Sequence, residues 1–456
     1  MSKAPAFERE KSVESGSGAP IVEHGRATKG EIAAWAAYDI ANATYGTVVA
    51  TAVYNAYFVE VICGQAAGGK ELGTFLLSVV IIPLSAIAIV LTAPVLGTIV
   101  DAMAAKKKML FVTTTLCILC TATLSMIPPG EVWGAVIALT LANFFFGTGE
   151  DLIASFLPEL STQENMGRIS SIGWGAGYVG SLIALGLCFM YFSWAKAHGQ
   201  VQTEYVPFAM LICAVLFFVF SLPTFIFLKE RATPQPGAVG KNYIKVGFER
   251  LRHTVDHARH YRDLFNFLLT LCVYSCGSTA VIHLASVYAQ QVLHFTASDS
   301  VIMILVVSVT AAIGAAIFGM VQDRIGAIKT LAITLSIWTV AILIACMATE
   351  KIHLWIAANF VGIAMGATGS AGRALVGQFS PRGRSGEFLG LWGMAHKLAT
   401  CIGAVTFGAV THLSGNNYRV ALLSCGVFFI GGLLLLWRVD EKRGRLAAKI
   451  DADIPV

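Results

Sequence analysis

Twelve apolar runs, each of roughly 18 to 28 residues, recur between short polar breaks along the 456-residue chain. A run of that length crosses about 30 Å of hydrocarbon as a helix, and a bilayer offers no water to a backbone that is not helical. Length by itself suggests about three soluble domains. With 56% apolar and 13% charged residues, that expectation gives way. The sequence predicts an all-α polytopic membrane protein of twelve transmembrane helices, at 32–58, 73–100, 109–127, 131–154, 170–194, 206–228, 264–291, 300–321, 328–348, 352–376, 387–411 and 418–438.

One long polar stretch interrupts the series. Lys229 to Arg262 is dense in Lys, Arg and His and divides six runs from six. It predicts a basic linker (229–262) between two pseudo-symmetric six-helix bundles (31–228 and 263–438), flanked by tails at 1–30 and 439–456. Of the 32 Lys and Arg residues, 27 fall on the side shared by both tails, 4 fall opposite, and Lys397 stands alone in mid-helix. The positive-inside rule then places both termini in the cytoplasm, at a plasma (inner) membrane. Residues 1–30 hold no apolar core segment, so the expectation is a disordered tail without a cleaved signal, helix 1 directing insertion. Phe248, Leu251 and Val255 recur at helical spacing among basic residues, which suggests an amphipathic helix on the inner leaflet. Because the net charge of +5 sits in such segments, it does not argue for nucleic acid.

Polar residues inside apolar helices are costly and therefore informative. Helix 1 carries Tyr38, Asn42 and Tyr45 on one face, and Asp39 about 10 Å in from Ile32; Asp39 either reaches back to water or serves a site. Helix 4 sets Asn143, Gly147 and Glu150 on one face, then Asp151. For Glu150 and Asp151, an ion pair with Arg168 or Arg373 competes with proton carriage. Ser275, Thr279 and His283 form a stripe on helix 7 that either faces a cavity or bonds to neighbouring helices. Arg373, near the end of helix 10, fits snorkelling. Lys397, ten residues beyond Glu387, is about 15 Å deep. Insertion there costs roughly 2.5–3.5 kcal/mol, so it requires a partner or an aqueous chamber, either for function or to hold the halves together.

Other patterns have plainer explanations. Cys117-x-x-Cys120 lies among Leu, Ile and Thr within a helix, which favours packing over redox or metal chemistry. Gly175, Gly177 and Gly180 match a dinucleotide fingerprint but follow no strand, so close helix packing through Gly173-xxx-Gly177 is the better reading. His253, His257 and His260 share a helix face that could hold a metal, against which stands a solvated cationic face. No cofactor motif, nucleotide-binding Gly-Lys loop or hydrolase constellation occurs, which disfavours an enzyme or an ATP-driven pump.

Helix 2 ends Gly97-Thr-Ile-Val-Asp101-Ala-Met-Ala-Ala-Lys106, and helix 8 ends Gly319-Met-Val-Gln-Asp323-Arg324-Ile-Gly326, 222 residues later. An Asp at such a helix end can accept from the free N–H groups that begin a helix of the opposite half, latching the inner face. The repeated loop resembles that of the major facilitator superfamily. Its first copy has Ala102 and Ala104 in place of the Arg and second Gly, which predicts a weaker gating contact. Four further stretches, Trp35 to Tyr45, Phe156-Leu157-Pro158-Glu159, Gly167-Arg168 through Tyr178, and Gly386-Glu387 through Lys397, resemble the unknown-major-facilitator branch related to the autophagy-related vacuolar amino-acid effluxers. His396 and Ile153-Ala154 depart from its pattern. The resemblance implies alternating access around a central site, with helices 1, 4, 7 and 10 lining a cavity and helices 2, 5, 8 and 11 joining the halves.

The resulting expectation is a monomeric secondary transporter, proton-coupled and possible as an exporter, for a small polar or anionic solute such as an amino acid or carboxylate. Lys397 would meet the anionic group and Asp39 would neutralise Lys397 in an empty chamber. Asn42, Tyr45, Asn143, Ser275, His283 and His396 would orient the solute. Asp101, Asp323, Arg324 and Arg168 would gate, and Asp39, Glu150 and Asp151 are the proton-carrying candidates. The alternative is a membrane sensor or interaction protein that keeps the fold without moving solute, a reading favoured by the degenerate first loop.

Overall fold

The computed structural model describes residues 27–66, 69–232, 261–295, 297–381, 383–415 and 417–452. The expected linker helix, its three histidines and the tail before Ala27 lie outside them. Every described element is helical. The first starts at a capping box: the Thr28 hydroxyl accepts from Glu31 N, and the Glu31 carboxylate accepts from Thr28 N. From there α1 (Lys29–Thr44) continues through wider π-turns at Tyr45–Ala52 and Phe58–Ile62. A third π-stretch, Leu76–Ile81, precedes α2 (Ile82–Met103).

The rest of the first half is α3 (Lys106–Leu124), α4 (Val132–Ala154), α5 (Met166–Ala197) and α6 (Gln202–Phe227). The second half is α7 (Arg262–Leu293), α8 (Ala297–Ile325), α9 (Ala327–Cys346), α10 (Lys351–Phe379), α11 (Ser385–Leu413) and α12 (Tyr418–Leu436). Eleven helices among the described residues are long and apolar enough to cross a membrane; with the π-broken first element they make the expected twelve. A further helix, α13 (Glu441–Ala452), occupies what the sequence reads only as a tail. It is docked by Arg443 on Asp263 (2.6 Å) and by the Glu441 carboxylate, which accepts from Ile328 N at the start of α9.

Two apolar cores result. One gathers Trp35, Tyr45, Leu139, Phe156 and Phe217; the other gathers Phe267, Trp338, Phe388 and Phe429. The halves meet where α2 packs on α11 and α5 packs on α8 and α10. Lipid gives no hydrophobic drive to pair helices, so close approach depends on small residues. Gly97 and Gly386 supply it: a Cβ on Gly97 would lie 2.0 Å from the Gly386 carbonyl oxygen. Within the first half, a Cβ on Gly180 would lie 2.7 Å from the Ile40 carbonyl oxygen, so the glycines of α5 pack against α1. Cys117 is a free thiol in the core, and Cys120, half-buried, is a free thiol packed against it.

Candidate functional site

At the face that carries Thr28 and α13, the halves are latched twice. The Asp323 carboxylate accepts from Arg168 N (3.2 Å), with Gly167 N beside it, at the start of α5. The Asp101 carboxylate accepts from Glu387 N (3.0 Å), with Gly386 N beside it, at the start of α11. Each carboxylate thus sits at the positive end of a helix of the other half. Arg168 takes part through its backbone, since its side chain and that of Arg324 are exposed.

The first latch keeps a full set of contacts despite its departures from the motif. Lys106, 1% exposed, replaces the missing arginine, lying 3.1 Å from Asp101, 2.7 Å from Glu159 and 2.6 Å from the Ser385 hydroxyl. Ala104 takes the turn that glycine normally makes, at φ 49°, where Gly326 in the other copy has φ 93°. A left-handed alanine is strained by roughly 1–2 kcal/mol. Ala104→Gly is therefore expected to gain up to about 1 kcal/mol, after the extra freedom of an unfolded glycine is subtracted. A detergent melt with no gain would count against that strain. Around the latches, Ser170 donates to the Ser370 carbonyl (2.8 Å), and the side-chain amides of Gln163 and Gln378 donate to each other's backbone carbonyls.

Deeper in, two ion pairs join the halves, and their partners differ from those the sequence suggested. Asp39 pairs with Arg373 (3.1 Å), not with Lys397. Arg373 is 5% exposed and does not snorkel. It donates to the Ser170 hydroxyl and carbonyl, and its guanidinium lies 4.8 Å from the Trp35 ring and 5.6 Å from Trp174. Gly173 makes the room, because a Cβ there would lie 2.2 Å from the Asp39 carboxylate. Trp35 falls one turn before Asp39, a helical spacing that flags the contact only once the pair is known.

Lys397 pairs instead with Glu150 (3.2 Å), which meets neither Arg168 nor Arg373 in an ion pair. Twelve residues into α11, Lys397 is about 18 Å from the helix start. Its chain crosses Gly147, where a Cβ would lie 3.3 Å from Cε, and its ammonium lies 6.0 Å from the Phe146 ring. Phe146 in turn packs on Tyr45, whose hydroxyl donates to Asn143 (2.8 Å). Leu141, half a turn around α4 from Glu150, faces outward. The pair therefore points between the halves. It keeps contact with open space, at 18% exposure for Lys397 and 31% for Glu150. Between α4 and α11 lies a small cavity of about 10 Å³.

The remaining candidates divide. Asn42 is buried and its Oδ1 has no hydrogen-bond partner among the described residues. Ser275 is buried, and the Thr279 hydroxyl donates to its backbone carbonyl, so Thr279 is satisfied within the helix. The side chain of His283 lies outside the described residues. His396 stacks on Trp392, 6.1 Å away on the same helix.

Two six-helix halves, latched at one face and bridged by ion pairs deeper in, define a membrane transporter of the major facilitator class. The human organic anion transporter MFSD10 shares this fold (TM-score 0.69, 14% identity, covering 90% of this chain and 99% of that one). So does the proton:xylose symporter XylE bound to 6-bromo-6-deoxy-D-glucose (TM-score 0.70, 15% identity, 93% and 98%). Within that class, the chain belongs to the family described as Vacuole effluxer Atg22 like, which matches residues 66–449. It is 25% identical over 426 residues to the uncharacterized MFS-type transporter YxiO of Bacillus subtilis, covering 92% of this chain and 97% of that one. It is 23% identical over 299 residues to autophagy-related protein 22 of Kluyveromyces lactis, covering 62% of this chain and 60% of the fungal one.

Proposed function

We propose that this protein is a secondary transporter working by alternating access, proton-coupled, for a small solute bearing an anionic group such as an amino acid or carboxylate. The observation that carries the reading is the Lys397–Glu150 pair, shared between the halves, partly exposed and lying above a latched face. A solute carboxylate that takes the ammonium frees Glu150. In low dielectric a pair that exchanges partners is a switch, because either charge left alone is expensive. Asn143, held by the buried Tyr45 hydroxyl, lies on the approach, Asn42 offers a further acceptor, and the halves rock about this point. The latched face is the cytoplasmic one in this reading. A proton symporter and an organic anion transporter among the solved structures of the same fold agree with it. Both latches being built, transport is favoured over a sensor that has lost its movement.

Proteoliposomes carrying a pH gradient should accumulate at least one labelled amino or dicarboxylic acid. Lys397→Met should cut that uptake about tenfold or more, equivalent to 1.4 kcal/mol of lost interaction, while insertion and the melting profile persist. Unimpaired uptake by the variant would remove Lys397 from the site. No uptake by the parent of any acid in the set, under gradients of either sign, would sink the solute class.

A further inference from the structure

Resting on that reading, we infer that Asp151 is the coupling-ion site and that it takes a proton, held while the latched face is closed and exchanged when that face opens. Asp151 follows Glu150 on α4 but points a quarter-turn away, into the seam between α2 and α11. It is 6% exposed, and neither carboxylate oxygen has a hydrogen-bond partner among the described residues. Its oxygens rest against the α11 backbone at Gly393, where a Cβ would lie 1.9 Å from Oδ1. Beside it lies the cavity of about 10 Å³, bounded by Gly97, Thr148, Gly386 and Gly390, room for about one water.

The other carboxylates on the helices packed there each have a cation. Asp101 on α2 has Lys106 of α3, Glu150 on α4 has Lys397, Glu387 on α11 has Arg384, and Asp39 on α1 has Arg373. Lys397 is the basic group that α11 brings near, its charge felt by both carboxylates, and its ion pair is with Glu150. Asp151 has no ion pair among the described residues. A carboxylate so buried, with neither an ion pair nor a hydrogen bond, is carried as the neutral acid. Gly97 and Gly386 also form the α2–α11 closure. Separating these helices therefore gives Asp151 water and a route for its proton, whereas closing them on the ionised form is disfavoured. Binding of the proton and closure of the face are thereby linked.

Two measurements on the purified full-length protein test this. Infrared difference spectra between neutral and alkaline pH should show a carboxylic-acid carbonyl band that Asp151→Asn abolishes and that Asp263→Asn, at the remote α13 contact, leaves. In parallel, disulfide cross-linking of a Gln163→Cys/Gln378→Cys pair across the closed face, with native cysteines replaced, should fall severalfold as pH rises. With Asp151→Asn added, it should stay high at every pH. A band that survives Asp151→Asn, a band missing from the parent, or an unchanged cross-linking profile overturns the inference. So does thermal stabilisation by sodium chloride over potassium chloride that Asp151→Asn removes, which would make the ion sodium. Neither readout needs a solute. A protein that passes both yet moves no acid would retain the proton site and lose the transport reading.

Discussion

Arg373→Met alone should be the most destabilising single substitution among the charged residues of the interior, and Asp39→Asn placed on top of it should recover most of the loss. The reason is asymmetry. Removing one member of a buried pair leaves an uncompensated charge and costs about 3–5 kcal/mol, whereas replacing both by neutral groups is often close to neutral. Arg373 is the better member to remove because its guanidinium also donates to the Ser170 hydroxyl and carbonyl and lies against two tryptophans. Lysine would not substitute, since it lacks the planar fork that reaches Asp39 and Ser170 together. Asp39 cannot turn away, because Gly173 of α5 is pressed against its carboxylate. A double-mutant cycle by thermal unfolding in detergent measures the coupling. If Arg373→Met and the double variant melt together, the pair is not what holds α1 to α10.

Gly97→Leu should force the latched face apart. The added Cβ would lie 2.0 Å from the Gly386 carbonyl oxygen and 2.8 Å from Glu387 N, and backbone atoms cannot rotate out of the way as a side-chain end can. Overpacking usually costs about 1–3 kcal/mol where the surroundings can adjust. Here the relief available is separation of α2 from α11, which also breaks the bond from Glu387 N to Asp101. If the halves move as rigid bodies, separation at α2–α11 should be felt at α5–α10 too. Cross-linking of the cysteine pair at positions 163 and 378 should then drop to background in Gly97→Leu. Retained cross-linking would mean the two latches open independently.

The latches and the ion pairs were legible to different degrees. Asp101 and Asp323 could be read as latches because the contact is local in kind: a carboxylate at one helix end and free N–H groups at another helix start. That Lys106 would stand in for a missing arginine was hinted at only by the run of three lysines after Asp101. The partners of Asp39 and Lys397 were misassigned because depth along a helix can be counted from a sequence, whereas the facing of one helix relative to another cannot. Arg373 looked like a snorkelling residue for the same reason. Asp151 was one proton-carrying candidate of three until the structure gave Asp39 and Glu150 ion-pair partners and, among the described residues, left Asp151 with neither an ion pair nor a hydrogen bond.

What the amino-acid order determined by itself is the helical, membrane-spanning character, the division into two halves and the depth of each charge. All follow from a bilayer that tolerates neither unpaired backbone nor stray charge. Which charge meets which was decided only by tertiary packing. Glu150 and Lys397 are 247 positions apart and Asp39 and Arg373 are 334 apart. They meet because glycines at 147 and 173 let helices from opposite halves come close enough for one side chain to lie across another.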